Sequence, residues 1–268
     1  MNPLVLLLAT ALAPVVAIIL FVYTKDKHNR EPFGVLLVSF LWGCFSVVPA
    51  IILESILPGV VPGSNGTSII SIAIYAFVIV AFSEEFSKFI FLRYYAYKKR
   101  SFNEPFDGII YAVMVGMGFA ATENLMYVFG EQGGMGTAVT RALTAVPAHA
   151  TFAATMGYFV GLAKFNRQKE KSYFWQGILY ATVLHGFYDF FLFQNITEGL
   201  YIGALVSLII GLRFSLKAMK IHKDVLSHRQ YDSNDPIDML NVEEKIPVKK
   251  EGNNNNEEGD YHSPHKPN

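Results

Sequence analysis

The stretch Ala81–Phe89 (AFSEEFSKF) places two adjacent carboxylates, Glu84 and Glu85, and the lysine Lys88 inside an apolar segment that extends from residue 69 to residue 92. On a water-exposed helix such charges would be ordinary. In a lipid bilayer an ionisable side chain is costly, faces the interior of a helix bundle or a cavity, and marks a candidate functional site. The meaning of this stretch therefore depends on whether its helix lies in a membrane.

The composition of the whole chain indicates a membrane protein. Of its 268 residues, 52% are hydrophobic and only 16% are charged, and the mean hydropathy is +0.31. The formal net charge is zero, so nothing in the charge balance favours nucleic-acid binding. The single cysteine, Cys44, excludes an intrachain disulfide and a thiolate metal cluster, and is interpreted as a small buried hydrophobic residue.

Seven segments are long and apolar enough to cross a bilayer, whose hydrocarbon core needs roughly 20 residues of helix. The first has neither a basic region before it nor a small-residue cleavage site after it, so we interpret it as a retained helix rather than a signal peptide. The chain turns hydrophilic near its end, so residues 221–268 are predicted to be a disordered cytoplasmic tail that follows a membrane domain at residues 1–220. The predicted spans are Pro3–Tyr23, Phe33–Leu53, Ile69–Leu92, Gly108–Phe129, Val139–Ala163, Tyr173–Phe193 and Gly199–Leu216.

The loops between these spans alternate in charge. Residues 24–32, 93–106 and 164–172 each carry several lysines and arginines, whereas residues 54–66, 130–136 and 194–198 carry none. Basic loops stay in the cytoplasm. The sequence therefore predicts an all-α, polytopic transmembrane helix bundle of about seven spans, with its N-terminus outside and its C-terminus in the cytoplasm.

Ionisable residues inside the spans are confined to the third, fourth, fifth and sixth, apart from Arg213 at the cytoplasmic end of the seventh. The helical rise places Glu123, His149 and His185 roughly 18–22 Å from the cytoplasmic ends of their helices, close to one level. The Glu pair lies only about 12 Å in, unless its helix continues towards Tyr97, which would raise the pair by about 7 Å. We therefore expect one buried polar site; the intramembrane ionisable residues are Glu84, Glu85, Lys88, Glu123, Arg141, His149, His185 and Asp189.

Spacing within the helices suggests a role for each group. Lys88 follows Glu84 by four residues and Glu85 by three, so it can pair with either carboxylate. Adjacent helical residues point about 100° apart, so only one glutamate needs to face the cavity. Asp189 follows His185 by four residues and can orient its imidazole. Carboxylates and imidazoles together suit general acid–base catalysis on a water molecule.

Each group also has a purely structural interpretation. The charges on the third helix would then form an ion pair that fixes helix register, and Glu123 with Asn124 would form a polar contact between helices. His149 and His185 would act as interhelical hydrogen-bond donors. Arg141, near the outer end of its predicted span, is expected to extend to the membrane interface.

The motifs resemble those of the PrsW family of glutamic-type intramembrane proteases, which is related to the CAAX-prenyl-endopeptidase-like superfamily. The resemblance covers roughly residues 70–195, with the motifs in the expected order on successive helices. The matching stretches are EEFSK at 84–88, FDG at 106–108, GMGFAATEN at 116–124, His149 in PAHA at 147–150, and HGFYD at 185–189.

The resemblance implies a multi-pass protease of the bacterial cell membrane that has no serine nucleophile and no resident cofactor. Its substrate would be a single-pass membrane protein, an anti-sigma factor in the named family role. The implied catalytic residues are Glu84, Glu85, Glu123, His149 and His185, supported by Lys88, Phe119, Asn124 and Asp189.

Two positions depart from the superfamily pattern of EExxxR, FxxxH and HxxxN/D. Lys88 stands in for the arginine at a spacing one residue shorter, and Glu123 stands where the superfamily has a histidine. Three carboxylates and two imidazoles are thereby left close together, and such a set could hold a divalent metal.

The sequence thus predicts an intramembrane endopeptidase in which Glu84 activates a water molecule and Lys88 holds Glu85. His185, oriented by Asp189, would stabilise the oxyanion or protonate the leaving amine, and Glu123 and His149 would complete the water site. Two other functions use the same residues. One is a transporter or proton-coupled channel, although no inverted repeat is evident. The other is a metal-dependent membrane hydrolase.

Overall fold

The computed structural model of the chain describes residues 2–25, 30–131, 133–194 and 198–231, without the side chains of residues 198 and 222–231. Over these ranges the chain is helical and contains no strand. The helices are α1 (Pro3–Lys25), α2 (Phe33–Phe45), α3 (Val47–Ile56), α4 (Ile69–Ile74), α5 (Phe82–Tyr94), α6 (Pro105–Phe129), α7 (Met135–Leu143), α8 (Ala145–Phe165), α9 (Glu170–Phe193) and α10 (Tyr201–Tyr231).

Five helical segments in the described ranges are long and apolar enough to cross a membrane. They are Pro3–Lys25, Phe33–Gly59, Ile69–Lys98, Pro105–Phe129 and Tyr201–Ile221. Helices α8 and α9 are also long, at 21 and 24 residues, but they carry the histidines and Asp189 and are correspondingly less apolar. An all-α membrane protein is therefore confirmed, while the number of spans stays a prediction.

Helix α6 lies at the centre of the bundle and is buried along most of its length. It packs against α1, α2 and α8, while α9 packs on α8 and α10 lies against both α8 and α9. Small residues allow this close approach: a Cβ atom at Gly108 would overlap the α8 backbone at Gly157 and Gly161, and one at Gly43 of α2 would overlap the backbone at Val115. The central helix can therefore hold side chains at fixed positions relative to its neighbours.

The start of α6 explains the FDG motif at residues 106–108 in structural terms. The Asp107 carboxylate accepts hydrogen bonds from the backbone N–H groups of Asn103 (2.8 Å) and Glu104 (2.7 Å), which caps the helix. Pro105 occupies the first turn, where its missing N–H costs nothing. Gly108 then provides the contact with α8. This motif positions the central helix and lies apart from the polar site.

Polar contacts tie the helices together at the end that carries the predicted basic loops. The Tyr97 hydroxyl donates to Glu170 at the start of α9 (2.7 Å), and Lys164 at the end of α8 donates to the Tyr97 carbonyl oxygen. The Tyr111 hydroxyl of α6 donates to Glu31, which precedes α2. These contacts link the start or end of five helices.

Three predicted spans are not uniform α-helices. The span Phe33–Leu53 is divided at Ser46, which separates α2 from α3. Between α4 and α5 the backbone forms a π-helix at Tyr75–Ala81, immediately before the Glu pair. The predicted continuous span Val139–Ala163 is wrong because the helix is interrupted at Thr144 (φ −122°, ψ −70°), which separates α7 from α8. A short 3₁₀ turn at Ala96–Lys98 follows α5, so the third span does continue towards Tyr97. Under the depth estimate made from the sequence, this continuation raises the Glu pair towards the level of the histidines.

Helix α10 ends at Tyr231, so the predicted boundary at residue 220 falls inside it. The rest of the predicted tail, residues 232–268, lies outside the described residues. Its disorder stays a prediction.

Candidate active site

Four helices bring the predicted site residues into one buried cluster. Helix α5 contributes the Glu pair and Lys88, α6 contributes Phe119, Glu123 and Asn124, α8 contributes His149, and α9 contributes His185 and Asp189. On α5 the side chains of Ser83 and Ser87 are fully buried. Serines four residues apart form a narrow helix face, and this lets the neighbouring helices approach the carboxylates.

Lys88 lies at the centre of the cluster. Its Nζ donates to Glu85 Oε1 (2.8 Å) and Glu84 Oε2 (3.1 Å), and it lies 3.2 Å from His149 Nδ1. The ammonium also lies 3.9 Å from the centre of the Phe119 ring, a cation–π contact. Lys88 is therefore paired with both carboxylates and not with Glu85 alone.

His149 joins the Lys88 group to Glu123. Its Nε2 lies 2.7 Å from Glu123 Oε2, and a carboxylate can only accept, so Nε2 carries the proton. The lone pair of Nδ1 is then directed at the Lys88 ammonium. The hydrogen bond to Glu123 therefore fixes the tautomer of His149. Carboxylates commonly fix the tautomers of catalytic and metal-binding imidazoles in this way.

His185 lies between carboxylates of two helices. Its Nδ1 lies 3.0 Å from Glu85 Oε1, and its Nε2 lies 3.2 Å from Asp189 Oδ2 and 3.9 Å from Glu84 Oε2. The imidazole stacks on the Phe152 ring at 4.6 Å between centroids. His185 thus lies within ion-pair distance of Asp189, but Asp189 Oδ2 has no hydrogen-bond partner among the described residues, so the orientation of His185 by Asp189 stays a prediction. Glu85 is a second carboxylate contact for the same ring.

Arg141 pairs with residues of the site, a contact that the sequence did not predict. It donates from Nη2 to Glu123 Oε2 (2.8 Å) and from Nε to Asn124 Oδ1 (2.8 Å). Asn124 in turn donates to the Ala11 carbonyl oxygen of α1 (2.7 Å). The helix break at Thr144 and the short glycine-rich connection after α6 fold α7 back beside α6. The glycines of that connection were the sequence signal for a turn between α6 and α7, and Gly134 adopts a positive φ of 108° there.

The two glutamates differ in their surroundings. Glu85 is fully buried, and its Oε1 contacts both Lys88 and His185, whereas Glu84 retains 5% exposure. Glu84 is therefore the less enclosed of two buried carboxylates. The structural interpretations are compatible with this arrangement, because the same contacts that fix helix register also assemble the cluster.

The donor set fits a divalent metal. Glu84, Glu85, His149 and His185 each offer one ligand atom, and these atoms lie within 4.8 Å of one another. Two imidazole nitrogens and two carboxylate oxygens are donors that zinc accepts. Glu85 Oε2 is buried and has no hydrogen-bond partner among the described residues, and a buried carboxylate oxygen calls for a donor, a water molecule or a cation.

The fold and the site together define a multi-pass membrane protein with a buried cluster of carboxylates and imidazoles. Such a cluster is typical of hydrolases that use general acid–base catalysis. The family described as "PrsW family intramembrane metalloprotease" matches residues 31–212 of the chain. The chain belongs to this PrsW family of intramembrane proteases, and the expected family is confirmed.

Curated relatives agree with this membership. Protease PrsW of Geobacillus kaustophilus is 36% identical over 197 residues, which cover 74% of this chain and 84% of the relative. Protease PrsW of Clostridioides difficile is 34% identical over 68% of this chain and 77% of its own length, and that of Bacillus subtilis is 32% identical over 69% and 82%. A comparison with solved structures finds no match.

These comparisons bear on the alternatives. They support a peptidase and lend no support to a transporter or channel. The family description also contains the word metalloprotease, which keeps the metal-dependent hydrolase as an alternative for how the water molecule is activated.

Proposed function

We propose that this protease hydrolyses a peptide bond of a single-pass membrane protein with a water molecule activated by Glu84. The observation that carries the proposal is the convergence of Glu84, Glu85, His149 and His185 from three helices inside the bundle. Glu84 accepts the water proton, and the resulting hydroxide attacks the carbonyl carbon. The proton then passes to the leaving amine when the C–N bond breaks.

Glu85, Lys88 and His185 position this reaction. Lys88 and His185 both contact Glu85 Oε1 (2.8 and 3.0 Å), so Glu85 is held as a fixed anion. As an imidazolium, His185 donates from Nδ1 to Glu85 and keeps an Nε2–H beside Glu84 Oε2, and this Nε2–H can donate to the oxyanion of the tetrahedral intermediate. His149, held by Glu123, borders the same space.

A divalent ion at this site would be held by Glu84, Glu85, His149 and His185. When bound, such an ion supplies a polarised water molecule and a Lewis acid for the carbonyl oxygen. The residues outside that set keep their roles in either case, because Glu123 orients His149 and Asp189 orients His185.

The proposal includes seven spans with the N-terminus outside and the C-terminus in the cytoplasm of a bacterial cell. The charge alternation of the loops supports this orientation. An anti-sigma factor is the substrate that the family resemblance favours. The bilayer brings such a single-pass substrate to the site by lateral diffusion.

The test is co-expression of the full chain with a single-pass membrane substrate, followed by blotting for a membrane-proximal fragment. Glu84→Gln is expected to reduce cleavage by roughly 100-fold or more while the protein still accumulates. Glu85→Gln, His149→Ala and His185→Ala are expected to reduce cleavage as well. Glu85→Gln should also lower accumulation, because it weakens the contact with Lys88 on α5 and the helix–helix contact with His185 on α9.

The matched control is Glu131→Gln, which changes an exposed glutamate outside the cluster and should leave cleavage at the wild-type level. Normal cleavage by both Glu84→Gln and Glu85→Gln would rule out the carboxylate mechanism.

A further inference from the structure

Three of the four residues that could hold a metal already hold a cation. The Lys88 ammonium lies 3.1 Å from Glu84 Oε2, 2.8 Å from Glu85 Oε1 and 3.2 Å from His149 Nδ1. Its side chain is only 4% exposed. The ammonium thus occupies the space onto which the ligand atoms converge.

His149 makes the two cations exclusive. Its Nε2 donates to Glu123 Oε2, so Nδ1 is the ring nitrogen that keeps a lone pair, and an sp² nitrogen has one such pair. That pair can accept from Lys88 or coordinate a metal ion, but it cannot do both. By holding the Nε2 proton, Glu123 leaves His149 Nδ1 with one lone pair, which can contact either the ammonium or a metal ion.

Charge adds to this exclusion. A divalent ion bound to the same carboxylate oxygens would lie within a few ångströms of the ammonium, and like charges repel strongly where little water screens them. The lysine stem is flexible, so the ammonium can leave Nδ1 while the α5 backbone stays in place. The Phe119 ring, 3.9 Å from Nζ, remains a neighbour that accepts a cation on its face.

We propose that the Glu84–Glu85–His149–His185 cluster binds one cation at a time and that Lys88 is the built-in competitor of a divalent metal. Metal binding then requires displacement of Lys88 from His149 Nδ1, and removal of the ammonium creates a tighter metal site. The inference rests on the proposed function only in placing a metal at the same residues, and it is tested without any substrate.

The experiment compares zinc and cobalt binding by the purified full chain in detergent. Wild type, Lys88→Met, Lys88→Gln and Lys88→Arg are equilibrated with either ion, freed of excess metal, and analysed for metal per chain and for Co²⁺ visible absorption. We expect Lys88→Met and Lys88→Gln to bind zinc roughly tenfold more tightly than wild type or more, the size of effect that neighbours of metal ligands have. Lys88→Arg keeps the cation and should match wild type.

Two controls locate the gain in the cluster. Lys98→Met removes an exposed lysine outside it and should bind as wild type does. Adding His149→Ala to Lys88→Met should abolish the gain and the Co²⁺ absorption, because a histidine ligand is lost. A gain that survives His149→Ala would place the metal elsewhere and overturn the proposal.

The proposal also fails if Lys88→Met and Lys88→Gln retain no more metal than wild type. Should these variants accumulate poorly, zinc added during purification must restore them, since the ion replaces the lost ammonium. Failure of that rescue counts against the proposal. Cleavage assays do not enter any of these outcomes, so a failed mechanism for Glu84 and a failed metal competition remain distinguishable.

Discussion

At the scale of single residues, the contacts of Arg141 determine the geometry of Glu123. The guanidinium binds Glu123 and Asn124 at the same time (2.8 Å each), and its planar fork suits two acceptors in one plane. Glu123 Oε2 is shared between Arg141 and His149. A substitution at Arg141 is therefore expected to change the orientation of His149 through Glu123, although Arg141 does not contact His149 in the hydrogen bonds described above.

We predict that Arg141→Met lowers the cleavage rate roughly 10- to 100-fold, as losses of orienting partners do, with little change in accumulation. Arg141→Lys should recover only part of the rate, because an ammonium cannot reproduce both bonds. The measurement is the rate of substrate cleavage in membranes, with the exposed Arg100→Met as a control of unchanged activity.

A double-mutant cycle separates positioning from a general loss of stability. If Arg141 acts through Glu123, then Arg141→Met combined with Glu123→Gln should be no slower than Glu123→Gln alone. Fully additive losses would show that Arg141 acts by another route.

At the scale of helices, the contact between α6 and α8 sets the distance between Glu123 and His149. Gly108 on α6 and Gly157 on α8 pack backbone to backbone, and a Cβ atom at Gly157 would meet Gly108, Ile109 and Ala112. Because these three contacts are with backbone or short side chains, the helices must separate to admit a larger residue.

Gly157→Val is therefore expected to destabilise the protein by about 1–3 kcal/mol and to reduce cleavage with it. Thermal unfolding in detergent and a cleavage assay measure the two effects. Gly34→Val is the matched control, because a Cβ atom at Gly34 on α2 meets nothing within 4 Å. Equal melting temperatures for Gly157→Val and wild type would contradict the packing argument.

Much of the fold follows from hydropathy, but the interruptions of its helices do not. Long apolar stretches predict helices because lipid forces the backbone to satisfy its own hydrogen bonds. The break at Thr144 and the π-helix at Tyr75–Ala81 lie inside such stretches. Pro147 in the first turn of α8 is a sequence signal for the break, whereas the apolar residues of the π-helix give no comparable signal.

The sequence predicted which residues form the candidate site better than it predicted which of them contact one another. Charge confined to four helices indicated the cluster, since buried charges need partners. Lys88 reaches both glutamates because all three lie on one helix. The pairing of Arg141 with Glu123 depends on how α7 folds back beside α6, and the sequence alone did not predict this tertiary contact.

At the scale of the whole molecule, the predicted orientation can be checked with introduced cysteines. In a Cys44→Ser background, Gly136→Cys and Gln168→Cys place single thiols at exposed positions on opposite predicted sides. A membrane-impermeant thiol reagent on intact cells should label Gly136→Cys and reach Gln168→Cys only after permeabilisation, because basic loops stay inside. The reverse labelling pattern would invert the topology.

The π-helix at Tyr75–Ala81 affects how any helical wheel of this region must be drawn. Each π turn closes one residue later than an α turn. Every residue of the segment therefore rotates the chain about the helix axis by less than the roughly 100° of an α-helix. A wheel drawn with uniform α spacing from Ile69 onward assigns Glu84 and Glu85 the wrong directions relative to α4. A one-residue deletion within the segment is therefore expected to convert a π turn into an α turn, because each π turn holds one residue more. The direction of α4 relative to Glu84 and Glu85 would then change less than after the same deletion in a regular α-helix.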